Sequence, residues 1–389
     1  MLKKIIAGLI ITGSLLFVSA LFCHLSRQNE NYTVIQFASW GSKSEIDILK
    51  PLLEDFETQN PDIKIEFMHI PQNYFQKIHL LFASNTSPDV IFINNLFLPV
   101  YANAGVLEDL SDIDINRNDF YEKSLESLSW NGKLFAVPRD VSNLVIYYNK
   151  DLFKSAGISY PANDWTFDDF LSAAKKLTHR PDIFGISFEE DSLFYLPYLM
   201  SEGGGILSDD LSRLTIDETA SQKGLKFYAD LRKKYRVAPQ KSESASATMA
   251  QMFLQGRLAM HLSGRWLVPK YREEAVFEWD VAPFPKGDAG SVVPMDASGW
   301  AISKTSKHKP EALKLIKFLS SKNSIEKLTK SGLIIPARKD CANSVLNEKK
   351  PANSQVFIDI IKTSKPTPVS VNYNEINDKI KECTEKIFN

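Results

Sequence analysis

Tryptophans and polar side chains stand at the ends of several predicted strands, where α/β proteins place their ligands. Trp40 follows the first strand-like run, and Trp266 and Trp300 lie at or just past the ends of two later runs. Asn94 and Asn95 follow another strand-like run. An indole face stacks on the C–H side of a pyranose, and directional polar groups bond to its hydroxyls. This combination indicates carbohydrate recognition.

Charged side chains near the same places can add stronger, charge-assisted hydrogen bonds to hydroxyls. Asp89 stands at the start of a strand, Asp140 lies between two strand-like runs, and Arg265 precedes Trp266. A structural alternative stays open for each residue. A single tryptophan is more often part of a core than a ligand contact, and Asp89 after a proline also fits a turn.

The sequence lacks the motifs of common catalytic sites. It contains no G-x-S-x-G, Walker loop, G-x-G-x-x-G or H-E-x-x-H pattern, and its six His are scattered. Carboxylates at 189–190 and 209–210 are adjacent, so they point apart, unlike the facing pair of a glycosidase. Glu45 fits a capping-box partner of Ser42. We therefore expect no catalytic residue, no cofactor and no metal site.

Alternating strand and helix patterns predict the scaffold. The segments 33–38 and 63–67 are typical of strands, and the helix predicted between them repeats apolar residues every three or four positions. The apolar run at 88–93 favours a parallel strand buried on both faces. Strand–helix–strand–helix–strand predicts a doubly wound α/β unit. The elements that follow predict a second one.

Length and charge limit the partner classes. The chain has 389 residues, roughly two or three domain-sized units. Its 46 Lys and Arg against 47 Asp and Glu give a net charge of -1, so no basic field for nucleic acid exists. Cys341 and Cys383 lie late in the chain, and the sequence leaves their pairing open.

The N-terminus predicts export. A dibasic start precedes an uncharged run from Ile5 to Cys23, which indicates a secretory signal or an uncleaved anchor within 1–28. Small residues favour cleavage after Ala20. Lipidation of Cys23 is the alternative, although Phe22 is large for that position. We expect a protein in the periplasm or on the outer face of the cytoplasmic membrane, associated with the membrane through its N-terminus.

Five short runs carry a family likeness: FASWG at 37–41, SPDVIF at 87–92, NGKLFAVP at 131–138, YYNKDLF at 147–153 and PAR at 336–338. In this order they resemble the extracellular solute-binding proteins of ABC importers, in the sugar-binding group that includes maltose-binding protein. The resemblance spans nearly the whole exported part of the chain. It implies a monomer that binds a carbohydrate and delivers it to the permease subunits of an importer.

The same resemblance implies a periplasmic-binding-protein-like type II fold, in which two doubly wound α/β lobes are joined by crossing hinge strands. The N-terminal lobe would comprise 32–139 and 298–332, and the C-terminal lobe 140–297 and 333–389. Carried over by position, Trp40 stacks on the ligand, Asp89 faces the cleft and Asp140 lies at the first crossover. The second lobe and the return strand are lined by Tyr195, Trp266 and Trp300.

Two other functions remain open at this point. A secreted glycoside-acting hydrolase would need two carboxylates about 5–10 Å apart in the cleft. A ligand sensor or adhesion protein would use the same fold without an importer.

Overall fold

The computed structural model describes residues 32–41, 43–244, 247–346 and 350–388, apart from the side chains of Ser44 and Asn374. The predicted signal or anchor segment 1–28, including Cys23, lies outside these residues. Within the described ranges, no helix has the length and apolar character needed to span a bilayer.

The elements of the described ranges follow in chain order. The strands are β1 (Thr33–Ser39), β2 (Ile63–His69), β3 (Val90–Asn94), β4 (Ser129–Trp130), β5 (Lys133–Leu134), β6 (Val137–Ser142), β7 (Leu144–Asn149), β8 (Phe184–Ile186), β9 (Leu258–Gly264), β10 (Trp279–Ala282), β11 (Pro294–Ile302), β12 (Ile335–Pro336) and β13 (Lys365–Pro366). The helices are α1 (Lys43–Gln59), α2 (Tyr74–Ala83), α3 (Leu98–Asn103), α4 (Glu122–Ser127), α5 (Lys150–Ser155), α6 (Phe167–Leu177), α7 (Ser192–Ser201), α8 (Thr219–Lys233), α9 (Lys241–Ser244), α10 (Met249–Leu254), α11 (Val268–Glu274), α12 (Lys309–Leu319), α13 (Lys322–Lys330), α14 (Val356–Asp359) and α15 (Tyr373–Phe388). Short 3-10 helices occupy Arg117–Asp119, Arg265–Leu267 and Lys339–Val345.

The first sheet confirms the predicted doubly wound start of the chain. Among the described residues it has the order β12-β6-β11-β3-β1-β2, with β13 paired to β11. Strands β1, β2 and β3 are parallel, and all five residues of β3 are buried. A strand covered on both faces must be apolar throughout, which explains the continuous run at 88–93.

The second sheet has the order β10-β7-β9-β8 in the described part of the chain. Its central strands β7 and β9 are antiparallel and wholly buried. The run YYNKDLF is the junction between β7 and α5. The Asn149 side chain accepts hydrogen bonds from the backbone N–H groups of Asp151 and Leu152, so it ends the strand and caps the helix.

Over the residues that the structure describes, the chain crosses from one sheet to the other three times, and each crossing begins or ends at a strand of the first sheet. Only Asn143 separates β6 from β7, and the segment 283–293 leads back from β10 to β11. After β12 the chain returns to the second lobe, where Phe388 of α15 packs edge-on against Phe188. The structure therefore has the predicted fold class, in which two α/β lobes are joined by crossing strands. The residue ranges assigned to each lobe stay a prediction.

Both late cysteines are free thiols, which closes the question of a disulfide between them. Cys341 is buried and Cys383 is exposed. Burial raises the pKa of the Cys341 thiol to about 12, so it stays protonated and inert at neutral pH.

Candidate functional site

An aromatic shelf forms beyond the carboxyl end of β1. It consists of Trp40, Tyr74, Phe75 and Phe97. The indole of Trp40 meets the rings of Tyr74 and Phe75 edge-on at 5.8 and 5.3 Å between centroids, and Phe97 stacks on Phe75 at 3.8 Å. The Tyr74 hydroxyl donates to the carbonyl oxygens of Ala38 and Phe92, which fixes the shelf to the first sheet.

The shelf lies in an open groove of about 880 Å³. Trp40 is partly exposed in it. Side chains able to donate or accept hydrogen bonds line the rest of the groove: Lys43, Asp47, His69, Gln72, Asn73 and Gln76. A flat apolar surface edged by polar groups is the arrangement that a sugar ring requires.

The second lobe carries its own exposed indole. Trp266 follows β9, is 38% exposed, and lines a depression of about 550 Å³ together with Glu189, Phe194 and His261. The indole lies across the backbone of Gly264, where an added Cβ would come within 1.9 Å of the indole atom Cζ3. Glycine at this position is therefore needed for the observed orientation of Trp266.

A smaller cavity of about 360 Å³, the interlobe cavity, is lined by α7, β13, α15, Leu96 and Asp296. Asn95 fixes Asp296: its amide nitrogen donates to Asp296 Oδ1 at 3.1 Å, and its oxygen accepts from the backbone of Ala297. Tyr373 lines the cavity and contacts Phe97 edge-on at 6.1 Å. This contact joins the cavity to the aromatic shelf.

A buried ion-pair cluster ties the shelf to the crossing strands. The Arg139 guanidinium donates to Glu45 at 2.7 Å and to Asp140 at 2.6 Å, and lies 4.5 Å from the centroid of Phe92. Burial alone would lower the pKa of Arg139. The carboxylates of Asp140 and Glu45 have the larger effect, so the pKa of Arg139 is raised. Burial also raises the pKa of Asp140, which Arg139 only partly offsets.

Two predicted site residues lie away from the open grooves. Trp300 is 0% exposed, with its ring packed edge-on against Phe37 and Phe92, so the binding-wall role predicted for it gives way to a core role. Asp89 lies at the amino end of β3, not at the carboxyl edge that holds Trp40. There it accepts hydrogen bonds from the Gln36 backbone and the Ser306 hydroxyl. Asp89 therefore stabilises the start of β3 and does not face the cleft.

Three further candidates are occupied by contacts inside the protein. Tyr195 is 1% exposed and packs under α15. Arg265 is 1% exposed and donates to the carbonyl oxygens of Ile334 and Thr329, and burial lowers its pKa to about 10. Asp140 lies in the cluster with Arg139. Of the predicted set, Trp40 and Trp266 have accessible indoles in different lobes, and Asn95 lies beside the interlobe cavity.

Sequence reasoning missed several residues of the site. Phe97 follows Asn94 and Asn95, so the strand-end signal that selected Asn95 extends to it. Asp296 stands on β11 without a recognisable motif. Tyr373 reaches the site only through the C-terminal return of the chain, which local patterns do not predict. Glu45 pairs with Arg139, while its expected capping partner Ser42 lies outside the described residues.

In the described ranges of the chain, no group of three or more His, Cys, Asp or Glu side chains is placed to hold a metal ion.

The chain matches a model of the family described as bacterial extracellular solute-binding protein over residues 42–324. The chain belongs to this family. This confirms the expected solute-binding class, and the extracellular character of the family agrees with the expected export. The family is one of binding proteins, so no enzyme role follows from membership.

Relatives and solved structures extend the match over most of the chain. The galactooligosaccharide-binding protein of Bacillus subtilis is 23% identical over 351 residues, covering 87% of this chain and 80% of its own length. The maltodextrin-binding protein MdxE of the same organism is 24% identical over 341 residues, covering 83% of this chain and 78% of its own length.

Two solved structures show the same architecture. An ABC substrate-binding protein of Listeria monocytogenes in complex with cycloalternan has a TM-score of 0.85 and 28% identity, and the match covers 92% of this chain and 94% of that one. Maltose-bound MalE3 of T. maritima has a TM-score of 0.80 and 26% identity, with 91% and 94% coverage.

Proposed function

We propose that this protein captures a sugar or sugar-like solute outside the cytoplasm and delivers it to the permease subunits of an ABC importer. The observation that carries the proposal is the aromatic shelf around Trp40, edged by polar side chains and located where α/β sheets bind ligands. Support comes from the relatives, which are named for binding galactooligosaccharides and maltodextrin.

Each lobe contributes one accessible indole to the proposed site. The partly exposed indole of Trp40 comes from the first lobe, and the exposed indole of Trp266 comes from the second. Contacts from both lobes at once are available only in a closed state, so a solute that touches both indoles favours closure about the crossing strands. The proposed hinge lies at the lobe boundaries expected from the sequence, which are near 139–142, 296–298 and 331–336.

The N-terminus has a separate role in the proposal. The segment 1–28 directs export and either remains as an anchor, is cleaved after Ala20, or leaves Cys23 for lipid attachment. The protein then acts as a monomer in the periplasm or on the outer face of the cytoplasmic membrane.

A thermal-shift screen over mono- and oligosaccharides tests the sugar class. A solute that binds only the folded state raises the melting temperature, by an amount that grows with its concentration above Kd. Calorimetric titration of the hits should show that Trp40→Ala weakens binding while the fold persists. If no carbohydrate raises the melting temperature, the sugar proposal is wrong.

A further inference from the structure

The orientation of Trp40 depends on the groups packed around it. The residue lies between β1 and α1, so neighbouring side chains, and not a strand or a helix, direct its indole. The indole packs against Phe92 at 5.0 Å between centroids, and Phe92 is fully buried on β3. Gly41, the next residue, has a φ of 139°, a conformation that favours glycine. Groups that fix Phe92 and Gly41 therefore also fix the indole.

Phe92 is held inside the protein by Arg139. The guanidinium carbon of Arg139 lies 4.5 Å from the centroid of the Phe92 ring, a distance at which an aromatic ring attracts a cation. Arg139 is 4% exposed, so little water reaches this contact. The same guanidinium lies 5.4 Å from the centroid of Trp300, which packs edge-on against Phe92. Arg139 is thus part of the core against which Trp40 packs.

Gly41 contacts the ion pair that Arg139 forms with Glu45. Arg139 Nη1 donates to Glu45 Oε1 at 2.7 Å. The other carboxylate oxygen of Glu45, Oε2, lies 2.8 Å from the place that a Cβ at position 41 would occupy, so the carboxylate packs directly against the backbone of Gly41. Two routes therefore join Arg139 to Trp40, one through the ring of Phe92 and one through Glu45 and the backbone.

We propose that Arg139 and Glu45 are positioning residues, which hold the Trp40 indole in the orientation in which it stacks on the solute. This inference rests on the proposed function, which makes Trp40 a contact of the solute. Apolar side chains often stabilise a core as well as a buried ion pair does, whereas a planar guanidinium directs its hydrogen bonds strictly. Orientation is therefore the role that this pair performs better than apolar packing would.

Arg139 also joins the indole to a crossing strand. It lies on β6, and its Nε donates at 2.6 Å to the carboxylate of Asp140, the next residue. Asp140 is in register with Ser298 of β11 and with Pro336 of β12. Because all of these positions belong to the proposed hinge segments, the positioning pair connects the hinge to the binding surface.

The first measurement needs no ligand. Fluorine NMR of the full-length chain labelled with fluorotryptophan follows its six Trp, and Trp40→Phe and Trp266→Phe assign two of the resonances. Arg139→Lys keeps the positive charge but loses the planar fork, so it should shift the resonance of Trp40 and leave that of Trp266 in place. Glu45→Gln keeps the size of its side chain, should shift the same resonance, and serves as the second variant if Arg139→Lys does not fold.

Calorimetric titration with maltotriose and cellobiose measures the consequence for binding. Arg139→Lys should raise Kd about fivefold, as expected when a coupled neighbour is altered. In the Trp40→Ala chain the same exchange should change Kd by less than about twofold, because the group that Arg139 positions is already removed. A merely structural residue would instead lower the melting temperature and have the same effect on Kd in both chains.

Arg180→Lys is the matched control. Arg180 also donates to a carboxylate, that of Glu243, and lies 5.3 Å from the centroid of Phe184 on the second sheet. It is not one of the described residues that line the grooves of Trp40 and Trp266. The exchange should leave both the resonance of Trp40 and the sugar affinity unchanged.

The outcomes separate this inference from the proposed function. A resonance of Trp40 that stays in place in both variants, or an equal rise in Kd with and without the Trp40 indole, overturns the inference and leaves sugar binding in place. Failure of both sugars and of the thermal-shift screen overturns the proposed function. In that case a Trp40 resonance that moves in the variants but not in Arg180→Lys still supports positioning of the indole, and one that stays in place overturns both.

Discussion

Replacing Trp266 by alanine tests the binding wall of the second lobe. Its indole is 38% exposed and lies over Gly264, so its removal opens a surface and leaves no closed cavity in the core. We expect a stability loss of about 1–2 kcal/mol from the apolar area still covered. The lost stacking surface should cost about 1–3 kcal/mol of binding, roughly a 5- to 150-fold rise in Kd.

Trp300→Ala is the matched contrast, since it removes the same side chain from a fully buried position between Phe37 and Phe92. It should cost about 3–5 kcal/mol of stability. Thermal melting and calorimetric titration with a sugar from the screen are measured on the same samples. If Trp266→Ala melts as early as Trp300→Ala and still binds with wild-type affinity, the assignment of Trp266 to the site is refuted.

We expect four other outcomes, three concerning the described residues and one concerning the N-terminal segment. Gly264→Ala should displace the Trp266 indole, since no Cβ fits beneath it, and should weaken binding nearly as much as Trp266→Ala; unchanged affinity and unchanged indole fluorescence would contradict this. The raised pKa of Asp296 makes its ionised form costly in the folded state, so the free energy of unfolding should fall as pH rises above the unfolded pKa of 3.8 and through the folded one. Asp296→Asn should flatten that part of the denaturant-measured pH profile, and an identical profile would count against the assigned burial. A saturating sugar should change the X-ray scattering profile through closure, and superimposable profiles would argue for a rigid protein. A chain that begins at Asn29 should fold and stay soluble by itself, whereas aggregation of that chain alone would make the N-terminal segment part of the fold.

The fold was predictable because its signals are local. The apolar run at 88–93 reports a strand buried on both faces, and the YYNKDLF run encodes a strand end and a helix cap at Asn149. Side-chain direction was not predictable in the same way. Trp266 and Trp300 both stand at or near strand ends in the sequence, yet one indole faces an open depression and the other fills the core. Whether an indole is exposed or buried depends on whether neighbouring strands and helices cover its face of the sheet. Those neighbours are distant in the sequence, so local patterns do not reveal them.

The residues of the interlobe cavity were even harder to predict from local sequence patterns. Its parts come from segments near 95, 191, 296 and 373, which approach one another only after both lobes and the C-terminal return are in place. Asp296 and Tyr373 carry no local signal of function. By contrast, Asn95 was found because it directly follows a buried strand.

Arg265 connects the turn that carries Trp266 to the segment that leads into β12. It precedes Trp266 in the same 3-10 turn, and its guanidinium donates to the carbonyl oxygens of Thr329 and Ile334, on the segment that leads into β12. The backbone turn that carries the Trp266 indole is thereby held to one of the segments proposed as the hinge. Rotation of the lobes would change the surroundings of this indole. Because the chain has six Trp, the difference in fluorescence between the wild-type chain and Trp266→Ala is the signal that should change with the hinge angle.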